Sequence, residues 1–129
     1  MTERVGVNRA ALLGAGILGF AGVTAAAASS HVGSDPRMLD AVATICLAHA
    51  PALLALALLA PRHVVLRVAA LLLFAGAALF SADVGLRALG YGRLFFMAAP
   101  AGGVVMLAGW LAVALSAVTM RRPADGTSG

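Results

Sequence analysis

The sequence predicts an all-α integral membrane protein, a four-helix up-down-up-down bundle, and three observations carry that expectation. The first is composition: of 129 residues, 62% are hydrophobic and 11% charged, with a mean hydropathy of +1.00, whereas soluble domains hold roughly 25% charged residues. A chain of this size has too little interior to hide so much apolar surface from water, so its natural solvent is lipid. The second is the spacing of charge: uncharged runs recur that are long enough to cross a hydrocarbon core of about 30 Å at ~1.5 Å per residue. The third is the lack of period-two alternation. The apolar blocks far exceed the ~10-residue strands of a membrane barrel, which leaves helices as the spanning form.

Residues 1–9 are expected to form a short cytoplasmic N-terminus and residues 10–120 a four-span domain. Segment one is 10–30, because no charged residue occurs between Arg9 and Asp35. A cleaved signal peptide is the competing reading, but the run is longer than the roughly 7 to 15 residues of a signal core. After a polar turn, segment two is 41–60, ended by Pro61-Arg62-His63. Segment three is 64–82; it contains Arg67 one turn from its start, where a long side chain snorkels to the interface. Segment four is 94–120, opened by the interfacial aromatics Tyr91, Phe95 and Phe96 and stopped by Arg121-Arg122-Pro123. Residues 121–129 read as a disordered polar tail. Short turns between the segments favour antiparallel neighbours.

The nine cationic residues are all arginine, against five acidic ones, for a formal net charge of +4. They are scattered among the apolar blocks instead of gathered on one stripe, which argues against nucleic acid as a partner. Counted by side, Arg4, Arg9, Arg62, Arg67, Arg121 and Arg122 oppose Arg37, Arg87 and Arg93. Cytoplasmic loops hold the excess of positive charge, so both termini are expected in the cytoplasm. One cysteine, Cys46, excludes an intrachain disulfide and a thiolate zinc cluster.

Gly14-Ala15-Gly16-Ile17-Leu18-Gly19 spells a dinucleotide-binding fingerprint, with Asp35 and Asp40 following. No strand precedes it and no parallel sheet surrounds it, so it reads as a decoy. Its small residues have a packing role instead: Ala11, Ala15 and Gly19 recur every four residues, as do Gly22 and Ala26, and Gly102 and Gly109 are seven apart. His49 lies nine residues into segment two, about 13 Å along the axis, and an ionisable group at that depth is a functional candidate. A single cross-helix hydrogen bond also satisfies a neutral imidazole, and that structural reading is favoured. Cys46 shares its face but supplies only a second ligand, too few for a metal site. Pro51 frees the carbonyl of Leu47.

His31, Asp83 and Pro100-Ala101-Gly102-Gly103 are expected at the outer ends of their segments, where His31 and Asp83 would pair and Ser81 and the carbonyl freed by Pro100 lie at similar depth. A polar interface capping helix ends is the plainer reading. Ser81 and Asp83, two apart on one helix, point to different sides and do not suit a hydrolase triad. His31 and His49 are too offset to ligate one haem iron. Trp110 either faces headgroups or donates its indole N–H to a neighbouring helix. No catalytic residue, cofactor or metal is assigned.

Four pieces of the chain resemble the domain of unknown function 423 family (DUF423). They are Ala25-Ala26-Ala27-Ala28-Ser29-Ser30-His31, His49-Ala50-Pro51-Ala52-Leu53-Leu54, Leu79-Phe80-Ser81-Ala82-Asp83, and Pro100-Ala101-Gly102-Gly103 with Gly109-Trp110. The resemblance runs from about Ala10 to Val118. It implies a four-helix protein of the bacterial inner membrane and implies no activity. The first turn is shorter than is usual there, and Cys46-Leu47-Ala48 replaces the aromatics that often precede the second histidine. Three function classes follow. The leading one is a non-enzymatic structural or accessory bundle in the lipid bilayer, self-associating or joined to a larger membrane complex. The second is a small-solute or proton transport unit along a His31, His49 and Asp83 path. The third is an intramembrane enzyme or quinone-binding subunit, for which the sequence offers no ligands.

Overall fold

A computed structural model of the chain describes residues 6–31 and 35–120. They form four helices: α1 (Arg9–His31), α2 (Pro36–Leu59), α3 (Val64–Ala88) and α4 (Ala98–Thr119), with a 3-10 turn at Ala60–Arg62 between α2 and α3. All four are long and apolar enough to cross a membrane. The 121–129 tail, residues 1–5 and the 32–34 connection lie outside the described residues.

Each boundary has a local cause. Asn8 caps α1 by accepting the Ala11 N–H at 3.2 Å, while its own N–H donates to Ala57 O at 2.8 Å and ties the start of α1 to the end of α2. Helix α2 begins at Pro36, not at Ala41, because Asp35 caps it with a 3.0 Å bond from Arg37 N and Pro36 stands where no backbone donor is needed. Helix α3 runs past Ala82 to Ala88. It closes where Gly90 adopts φ 85°, with Gly90 N bonding Arg87 O and Tyr91 N bonding Leu86 O. Helix α4 starts at Ala98, four residues after Leu94, and Met97 before it has φ 69°. Pro100 therefore sits in the first turn of α4, where it frees no carbonyl of the helix.

Close contacts fix the topology. Gly22 meets Leu47, Gly19 meets Ala50 and Asn8 meets Ala57, so α1 and α2 are antiparallel. Gly102 meets Phe80, Gly76 meets Met106 and Leu73 meets Gly109, so α3 and α4 are antiparallel as well. Helices α2 and α3 pack between these pairs, and α1 also touches α3 at Gly14 and Phe74. Helix α4 lies along α3 and has no packing contact with α1.

The buried positions follow a heptad spacing: Ala11, Ala15, Leu18, Gly22 and Ala25 on α1; Leu39, Val42, Cys46, His49, Leu53, Leu56 and Ala60 along α2 and its 3-10 turn. Steps of four and three alternate, as in left-handed helix packing. On α1 the seam is made mostly of small residues, while its Leu13, Ile17, Phe20 and Val23 face outward. Small inside and large outside is the arrangement lipid favours, since close backbone approach rather than water exclusion drives association.

Candidate functional site

The polar side chains inside the spans are held in separate pairings. His49 is buried near the middle of its span, as its place nine residues into 41–60 implies: it lies thirteen positions after Pro36 and thirteen before Arg62. Its Nδ1 is 2.7 Å from Ile45 O, one turn back on its own helix. The Trp110 indole N–H donates to its Nε2 at 3.2 Å, and the two rings are tilted by 57° with centroids 5.8 Å apart. A nitrogen that accepts from an indole carries no proton, so Nδ1 carries it and donates to Ile45 O. Both ring nitrogens are engaged and His49 is the neutral Nδ1–H tautomer. Trp110 crosses from α4 to α2 and supplies the link between those helices.

Asp83 is 2% exposed. Its Oδ1 accepts the Leu94 N–H at 2.9 Å, and Oδ2 lies 4.0 Å from Arg87, one turn along α3. The carboxylate holds the α3–α4 connection against the bundle. His31 is the exposed last residue of α1 and forms no pair with Asp83, whose oxygens are taken by Leu94 and Arg87. Ser81 Oγ is 3.2 Å from Cys46 Sγ across the α2–α3 interface. Cys46 and His49 thus turn to different partners, and no group of three metal-ligating side chains occurs among the described residues. The hydroxyls of Thr24, Ser29, Ser116 and Thr119 bond carbonyls three or four residues back on their own helices.

The small residues divide by role. Gly102 makes the closest crossing: a Cβ there would stand 2.7 Å from Gly76 O and 2.7 Å from Phe80 N. Gly109 packs on Leu73, with a Cβ meeting its Cδ2 at 2.8 Å and its backbone N at 3.0 Å, and a Cβ at Gly22 would stand 2.7 Å from Leu47 Cγ and 3.0 Å from Cys46 Cβ. Ala15 is buried. Gly19 is only half-buried, with Ala50 Cβ at 3.8 Å from its Cβ position. The spacing of Ala11, Ala15 and Gly19 explains this, since two four-residue steps rotate about 80° away from the seam. Gly103 and Gly16 have nothing within 4 Å of a Cβ position, and Pro100 is exposed. Gly76 and Asn8 emerge only from the structure. A lone glycine in the leucine- and alanine-rich third segment is the sequence signal for the first; Asn8 preceding an apolar run is the signal for the second.

The family model for proteins of unknown function DUF423 matches residues 25–103. The chain belongs to the DUF423 family. Within the DUF423 match lie His31, His49, Ser81, Asp83 and Pro100 to Gly103, whereas Gly109 and Trp110 fall beyond it. The His49–Trp110 bond therefore joins a residue inside the matched region to one outside it. No curated protein and no solved structure matches the chain.

Proposed function

We propose that this protein is a non-enzymatic structural or accessory bundle of the bacterial inner membrane, with both termini cytoplasmic, and that it self-associates or joins a larger membrane complex. The observation that carries this reading is the internal pairing of its buried polar side chains. Among the described residues, no buried side-chain nitrogen or oxygen lacks a hydrogen-bond partner. A general acid, base or proton relay works by presenting an atom to a substrate or water, whereas His49 and Asp83 spend theirs on Trp110, Ile45, Leu94 and Arg87.

The exposed flanks supply the means of association. Helix α4 packs on α3 alone apart from the Trp110 side chain, leaving Val104, Leu107, Leu111 and Val118 exposed. Gly103 and Gly16 lie on outer faces with open space beside them, and small residues let a second helix approach in lipid. Orientation rests on the arginine excess and the inner membrane on family resemblance. Native mass spectrometry in mild detergent tests the reading. The expected result is an oligomer that Gly16→Leu or Gly103→Leu reduces to monomer with helical content unchanged. A monomer at all concentrations, with in-membrane crosslinking also giving single chains, overturns it.

A further inference from the structure

We propose that the hollow between α1 and α3 binds an anionic phospholipid, with the phosphate on the Arg67 guanidinium and an acyl chain along the apolar floor. The inference goes beyond the accessory reading and needs only that the helices lie in a bilayer.

Helices α1 and α3 start at the same end of the molecule, and the Phe74 ring lies against Gly14, where a Cβ would stand 2.9 Å from Cδ2. Toward the end from which both helices start, the facing side chains are Ala10, Ala11 and Ala70, too short to fill the gap. The result is a cleft of about 320 Å³ with mainly apolar walls. Asn8 and Arg67 are the polar residues on its lining. The Asn8 carboxamide oxygen already accepts from Ala11 N, and the one ion pair among the described residues is that of Arg87 with Asp83, so Arg67 has no acidic partner among them. A guanidinium one turn inside a span, beside an apolar trough, calls for an anion that arrives with hydrocarbon attached.

The dimensions agree with a lipid. From Asn8 to Ile17, both on the cleft lining, is nine residues, or about 14 Å of helix, close to one leaflet of a core of ~30 Å. Leu13 and Ile17 also border a second hollow on the other side of α1, of about 620 Å³, lined by Gly16 and Phe20 and headed by Arg9. Arg9 likewise lacks an ion-pair partner among the described residues. The α1–α3 cleft and a shallower trough on the α1 surface alone thus flank one ridge, each with an arginine at the same end. That layout complements a phosphate carrying two chains, whereas free phosphate would make no use of the troughs.

The test is native mass spectrometry of the full chain in mild detergent, titrated with dioleoylphosphatidylglycerol, dioleoylphosphatidylcholine or inorganic phosphate. The glycerol lipid is expected to bind one per chain in preference to the choline lipid. Arg67→Gln should weaken it about fivefold, the worth of one surface cation toward an anionic lipid. Ala10→Phe, which fills the cleft from an exposed position, should weaken it comparably with helical content unchanged, and Arg93→Gln at the opposite end should not. Equal retention of both lipids, retention by both cleft variants, or phosphate binding as tight as the lipid's overturns the proposal. So does a dimer that Ala10→Phe abolishes irrespective of lipid. A lipid-loaded monomer would remove the accessory reading and leave this one standing.

Discussion

The two antiparallel pairs, α1–α2 and α3–α4, are closed with glycine against different kinds of neighbour. On α1 the glycine at the seam, Gly22, faces the Leu47 side chain, which is 41% exposed and has room to turn. On α3 and α4, Gly76 and Gly102 face each other's carbonyl oxygens, at 2.7 Å from either Cβ position. The first interface is limited mainly by a movable side chain, with Cys46 Cβ next at 3.0 Å, and the second by two backbones. Helix α4 also depends more on its single crossing, because it has no packing contact with α1, whereas α2 is held from both sides. The same residue type is therefore adjustable in one half of the molecule and fixed in the other.

The largest effect should come from adding a methyl group at the fixed crossing. Gly102→Ala or Gly76→Ala forces the α3 and α4 backbones apart, and no rotamer relieves the clash. Overpacking costs about 1–3 kcal/mol, and a backbone-limited site belongs at the upper end. Unfolding in mixed micelles with increasing dodecyl sulfate should show a loss near ~3 kcal/mol for either variant. A loss below ~1 kcal/mol would mean that the crossing is no tighter than an ordinary side-chain contact.

Gly22→Ala is the matching change on the other pair. Leu47 must leave its present rotamer at a cost of about 0.5–1.5 kcal/mol, while alanine is favoured over glycine within a helix by up to ~1 kcal/mol. The net destabilisation should be no more than about 1 kcal/mol in the same titration. An effect equal to that of Gly102→Ala would erase the distinction between the interfaces.

How much of this was readable beforehand follows from what each signal measures. Hydropathy located four spans because it depends on uncharged length, and it failed at ends decided by caps. Asp35-Pro36 extended α2 five residues beyond the expected start, and Gly90 let α3 continue to Ala88. Those shifts left His49 near mid-span but moved Pro100 into the first turn of α4. Gly102 was legible as a packing residue from small-residue spacing, but Gly103, next to it, has open space at its Cβ position. Adjacent positions differ by about 100° around a helix, and only knowledge of the seam separates them. Asp83 was legible as a polar candidate at the outer end of segment three, yet its burial and its partner, the Leu94 N–H in the connection, leave no pattern in the sequence.

The smallest effect should fall on the bond that ties α4 to α2 at mid-span. Trp110→Phe keeps the ring against α2 but removes the N–H that donates to His49 Nε2. Interhelical hydrogen bonds in membranes average about 0.6 kcal/mol and reach ~1.7, because separated helices find other partners in the membrane. The cost of Trp110→Phe alone would mix the bond with the orphaned Nε2, so a double-mutant cycle with His49→Leu is the cleaner measure. A coupling near ~0.6 kcal/mol is expected, well below the cost at Gly102. A coupling of zero would mean that α4 is held by its α3 crossing alone. One above ~1.7 kcal/mol would make the mid-span bond, and not the glycine crossing, the contact that decides where α4 lies.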